Sequence, residues 1–190
     1  MKKSSLILVA VAALLAILLR LIEGPMENFS AMGGLAVLCG VVVRPEWAGL
    51  LIPLAARFIT DSVLEYRTGD GWYGSILFDY AAYVAIFGFG RMLQPRNTGA
   101  VLGTGVLAGL TFFCISNLGV WCMPHNGMYL YPRTLAGLVE CFEKAIPFAR
   151  GTFVSDVGFT LAFLGSLRAV SLQSSREVES MQVASTISDR

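Results

Sequence analysis

Pro53-Leu-Ala-Ala-Arg57-Phe-Ile-Thr-Asp61-Ser-Val-Leu64 puts two full charges inside an otherwise apolar run. The run covers residues 47–64, which at about 1.5 Å per residue nearly crosses a bilayer. In a helix, Arg57 and Asp61 share a face and can pair. An ionisable group at membrane depth costs on the order of 2.5–3.5 kcal/mol by insertion scales, so it turns toward a partner or a wet cavity. Either the pair neutralises itself, or one member is partly free to meet a polar group of a ligand.

The rest of the chain belongs to the same environment. Of 190 residues, 55% are hydrophobic and 14% charged, and the mean hydropathy is +0.67. Soluble domains carry roughly 25% charged residues. An integral membrane protein with a single domain is expected. A net charge of +1 without a basic block gives no footing for nucleic acid. Cys39, Cys114, Cys122 and Cys141 form no C-x-x-C pair, so neither a zinc site nor a redox motif is indicated.

Hydropathy predicts an all-α membrane domain over residues 1–172, a six-transmembrane-helix bundle with spans at 6–22, 30–43, 47–64, 75–93, 98–121 and 152–170. The first apolar stretch is longer than the core of a signal peptide. It ends at Arg20, Glu23 and Pro25 rather than at a small-residue cleavage site, so it is read as a retained helix. Arg44-Pro45-Glu46 and Gln94-Pro95-Arg96-Asn97 read as tight turns, because proline disfavours helix at the residue before it. Over residues 133–148, Leu135, Leu138, Val139, Phe142 and Ile146 recur at helical spacing, with Glu140, Glu143 and Lys144 elsewhere. That pattern predicts an amphipathic helix lying on the outer membrane surface. Residues 173–190, rich in Ser, Glu, Gln and Arg, read as a disordered cytoplasmic tail.

Orientation follows from the basic residues. Lys2, Lys3, Arg44, Arg91, Arg96 and Arg168 fall at one set of helix ends, with Glu46 as the only acid among them. Arg67, Arg133, Lys144 and Arg150 fall at the other, offset by Glu23, Glu27, Glu65, Asp70, Glu140 and Glu143. Short basic loops stay cytoplasmic, which gives a multi-pass inner-membrane protein with both termini inside. In that topology Arg57, Asp61, Asp79, Asn117 and Asp156 all lie within about 5–10 Å of the outer helix ends. They would form a polar bowl open to the outside. Trp72 and Tyr73 in one outer loop, and Trp121 and His125 in another, are placed to cover it, or else belong to the aromatic belt of the interface.

Other patterns are weaker. Pro53…Phe58-Ile-Thr-Asp61 resembles Pro147…Phe153-Val-Ser-Asp156, as an inverted repeat of three helices would. Ala12-x-x-x-Ala16 permits close helix approach, either within the chain or to a partner. The glycines at 33, 34, 40, 88, 90, 99, 103, 105 and 109 read as packing devices. Cys122 and His125 have C-x-x-H spacing, two ligands where a metal site needs more. Cys122 and Cys141 fall on the same predicted face, where a disulfide can form in an oxidising compartment. No G-x-S-x-G, H-E-x-x-H or Walker loop occurs, so no motif implies a cofactor, a metal or an enzyme.

Six short helices, internal termini, an outward bowl and the Ala12-x-x-x-Ala16 helix together resemble the substrate-binding S components of energy-coupling-factor transporters. Asn28-Phe-Ser-Ala31, Pro53–Asp61, Asn117-Leu-Gly-Val-Trp121, Tyr131-Pro-Arg-Thr-Leu-Ala-Gly137 and Ile146-Pro-Phe148 through Asp156 look like an uncharacterised bacterial membrane-protein family that has itself been likened to those components. The resemblance implies that Ala12 and Ala16 face a T subunit, that separate ATPases supply the energy, and that Asp61, Asp79, Asn117, Asp156 and the outer loops hold a vitamin-like micronutrient. The expected function is thus capture of a small compound by a membrane subunit. The alternatives are a stand-alone solute transporter and a membrane enzyme using Asp79 and Asp156 as paired carboxylates.

Overall fold

A computed structural model describes residues 3–22, 28–125 and 127–188. Lys2, Glu23 and Glu27, three of the charges used to orient the chain, lie outside the described residues. Those residues form six helices: α1 (Lys3–Leu21), α2 (Met32–Val42), α3 (Glu46–Thr68), α4 (Ile76–Leu93), α5 (Thr98–Cys122) and α6 (Leu135–Ser188). Five of them are long and apolar enough to cross a membrane.

The exception is α2, and it organises the bundle. Its 11 residues rise only about 16 Å, roughly half of a bilayer's hydrocarbon core. Every residue from Met32 to Gly40 is buried, and all five other helices pack around it. The stretch expected to span the membrane at 30–43 is therefore a central core helix. An apolar segment of this length cannot reach both surfaces, but can be covered on all sides by longer ones.

Backbones approach closely around α2. A Cβ on Gly40 would collide with the Phe87 carbonyl oxygen, and one on Gly90 with that of Val37, so α2 and α4 touch main chain to main chain. Glycine is required there by space, as expected for helices packed without bulky side chains between them. Gly88, two residues from Gly90, faces no atom within 4 Å.

The long helix α6 runs antiparallel to α5. Phe142 meets Phe113 edge-on at 5.6 Å between ring centroids, and Cys141 Sγ donates to the Asn117 carbonyl at 3.4 Å. At the other end Arg168 donates to the Pro95 carbonyl at 3.2 Å. Two stretches differ here from the sequence expectation. Residues 135–148 are the first turns of α6 packed on α5, not a separate interfacial helix. The expected disordered tail is helical in its backbone as far as Ser188. Pro147 lies inside this helix, where neighbouring helices can re-satisfy the backbone groups that a proline frees. Beyond 173 no glycine or proline interrupts the chain, so nothing local stops the helix. Cys122 and Cys141 are free thiols.

In α1, Ala12 and Ala16 are fully buried with Val9 against the chain's own helices, while Leu6, Val11, Leu14 and Leu18 are exposed. The expected partner-docking face at Ala12 and Ala16 is therefore turned inward. Small residues allow α1 to approach its neighbours, and its large apolar side chains face outward.

The contrast between the two α4 glycines is testable. Gly90→Ala should destabilise the protein by about 1–3 kcal/mol through overpacking. Gly88→Ala should be neutral or stabilising by up to ~1 kcal/mol through helix propensity. Thermal unfolding of both variants in detergent checks the opposite signs.

Candidate functional site

Charges on three helices meet at one place in the bundle. Asp61 is fully buried and accepts from both sides. Arg20 on α1 reaches its Oδ1 at 2.7 Å, and Arg57 reaches its Oδ2 at 2.9 Å. Tyr80 donates to the same Oδ2 at 3.0 Å, and Arg20 Nε donates to Thr60 at 3.0 Å. Arg57, 1% exposed, continues the chain of contacts to Asp79 on α4 at 3.0 Å. Tyr73, from the connection between α3 and α4, accepts from Arg57 and donates to Asp79. Burial raises the Tyr73 phenol above its ordinary value, so it stays a donor at neutral pH. Arg57 also lies 5.7 Å from the centre of the Tyr83 ring.

This network is one wall of a cavity of about 540 Å³. Arg57, Tyr73, Asp79 and Arg20 line that side, and Thr152, Ser155 and Asp156 line the facing stretch of α6. Phe112 and Tyr83 supply apolar surface. Asn28, Phe29 and Ser30, immediately before α2, also line the cavity, so it borders the place where the short helix begins. Asp156 presses against that beginning: a Cβ on Gly33 would strike its carboxylate.

Asp156 differs from the other acids. It is 4% exposed, yet among the described residues no hydrogen bond or ion pair reaches it, while Asp61 and Asp79 are both held. The repeat-like match between Asp61 and Asp156 thus joins two residues with different roles. Asp156 also lies farther along its helix than expected, because α6 starts at Leu135 rather than near 152.

The other anticipated residues separate. Asn117 lines an adjoining cavity of about 180 Å³ that shares Asn28, Tyr73, Asp79, Phe112 and Thr152 with the larger one. Its amide donates to the Phe113 carbonyl at 2.7 Å. Trp72 and His125 border a third cavity of about 350 Å³, where Tyr73 is the shared wall. Trp72 also packs edge-on against Phe58 at 5.3 Å. Trp121 is corrected: it lines none of these spaces. Its indole donates to the Pro132 carbonyl at 3.0 Å, and Arg133 stacks over its ring at 4.6 Å, so it fastens the loop after α5.

Sequence reasoning passed over Arg20, Tyr80, Tyr83, Phe112, Thr152 and Ser155. Arg20 carried a usable signal, a full charge within the last turn of an apolar helix, which demands a partner. The uncharged residues carried none.

Residues 1–180 match the family described as a family of unknown function, DUF6580. The chain belongs to that family. No curated protein and no solved structure matches it. For this DUF6580 chain the site must therefore be read from its own chemistry.

The ion-pair wall predicts a large cost for breaking it. Arg57→Met removes the ion-pair partner of Asp79 and one of the two ion pairs of Asp61, which should lower stability by about 3–5 kcal/mol. Adding Asp79→Asn should recover part of that loss, since coupled neighbours are not additive. Thermal unfolding of the wild type, single and double variants measures both effects.

Proposed function

We propose that this protein captures a small polar or aromatic compound in the cavity between the ion-pair wall and α6. The observation that carries this reading is a 540 Å³ space lined by both charged and aromatic side chains, one carboxyl group of which has no partner among the described residues. Small-molecule sites are typically concave, about 300–1,000 Å³, and set a few convergent polar groups among apolar ones. Below the cavity Leu35, Val37 and Leu38 of α2 are fully buried, which supports a closed floor and favours capture over a stand-alone channel. Asp79 is tied to Arg57 and Tyr73, which disfavours a paired-carboxylate enzyme that needs both acids free.

In the fuller form of this proposal the compound is a vitamin-like micronutrient. The chain acts as a membrane subunit with cytoplasmic termini, and separate T and ATPase subunits energise its release. The distribution of Lys and Arg supports the orientation, and the resemblance to S components supports the partners.

The test is mass spectrometry of small molecules retained by the full-length protein purified in detergent, compared with Ser155→Phe. Ser155 lines the cavity, and a phenyl ring there fills part of it. The wild type should retain a defined compound, and the variant should lose it while keeping its unfolding temperature within a few degrees. Retention of nothing by the wild type, or equal retention by a folded variant, overturns capture in this cavity.

A further inference from the structure

Among the described residues, the carboxyl groups around the cavity outnumber the guanidinium groups by one. Arg20 and Arg57 are matched by Asp61 and Asp79 through three ion pairs. Tyr73, Tyr80 and Tyr83, the titratable phenols of this region, are neutral at physiological pH. Asp156 is left over, buried and facing the cavity. The start of α2 beside it offers only a helix dipole, equivalent to roughly half a positive charge. A lone carboxyl in a low-dielectric site carries its negative charge only when a charge of opposite sign reaches it, and otherwise holds a proton.

We propose that the captured compound is a monovalent organic cation, a protonated amine or a charged nitrogen heterocycle, with its nitrogen against the Asp156 carboxylate. This rests on the capture reading and names its substrate class. Phe29, Tyr83 and Phe112 offer apolar and aromatic surface for the rest of such a molecule, and aromatic faces also attract cationic nitrogen. An anionic compound would meet Asp156 directly, and would reach Arg57 only by displacing Asp79 or Asp61. A neutral compound would bring no charge to pair with it. A metal ion would find one free carboxylate where calcium takes six to eight oxygen ligands.

Three probe compounds of similar size separate these cases: 2-phenylethylamine, 2-phenylethanol and 3-phenylpropanoate. Each is added at equal concentration, pH 7 and constant salt, to the full-length protein in detergent, and unfolding is followed by tryptophan fluorescence. The amine should raise the midpoint by a few degrees, and the alcohol and the acid should not. The shift should vanish in Asp156→Asn and persist in Asp70→Asn, an exposed acid outside this cavity. A second measurement uses the wild type alone and so does not depend on how a variant folds. Dicyclohexylcarbodiimide should add to the Asp156 carboxyl, read as a mass increase on its peptide, and 2-phenylethylamine should reduce total modification of that carboxyl several-fold, counting both the N-acylurea and the phenethylamide that forms when the amine displaces dicyclohexylurea.

A shift as large with the alcohol, the acid or sodium chloride overturns the assignment. So does the absence of any shift with the amine, its persistence in Asp156→Asn, or total modification that the amine leaves unchanged. A retained compound without a cationic nitrogen would also overturn the cation while leaving capture in the cavity intact.

Discussion

Two guanidinium groups can sit among apolar helices only if carboxylates come to meet them, and this requirement joins half of the bundle. Arg20 ties α1 to α3 through Asp61, and Arg57 ties α3 to α4 through Asp79. Tyr73 adds the connecting loop to the same network. The other half is assembled differently. There α2, α5 and α6 meet through small residues, with Gly34 against Phe159 and Gly105 against the main chain at Val157. The cavity lies along the seam, with a charged wall on one side and the hydroxyl-lined face of α6 on the other.

Such a network is held by geometry as much as by energy. Buried ion pairs recover their desolvation cost only when every partner is in place, so the positions of three helices become interdependent. Tyr73 and Tyr80 supply neutral hydrogen bonds to oxygens that the arginines leave partly unsatisfied. Asp156 stands apart from this arrangement, on a helix that contributes no cation to it.

How much could be read in advance depended on the kind of signal each residue carries. Arg57, Asp61 and Asp79 were legible because a charge inside an apolar run has to be explained, and α3 and α4 bring them together. Arg20 sat close enough to a helix end to pass for a boundary residue. Thr152, Ser155 and Phe112 look like any other residues of an apolar helix, and only the fold shows that they border a cavity. The helix α2 was mistaken for a span because hydropathy reports burial without saying whether lipid or protein supplies it. Residues 135–148 meet α5 through Cys141 and Phe142, while Leu135, Val139 and Ile146 of the apolar pattern stay exposed, so the pattern did not report which face packs. The inward turn of Ala12 and Ala16 was equally hidden, since small residues serve contacts within a chain and between chains alike.

The brevity of α2 works as a gauge of capacity. A further turn at its start, about 5.4 Å of a rod some 10 Å across, would displace roughly 400 Å³. That is most of the 540 Å³ now open. Where this buried rod begins therefore sets how much open space the bundle encloses, independently of which side chains border it. Shifting this starting point by a few residues would enlarge or shrink that space without altering the surrounding scaffold.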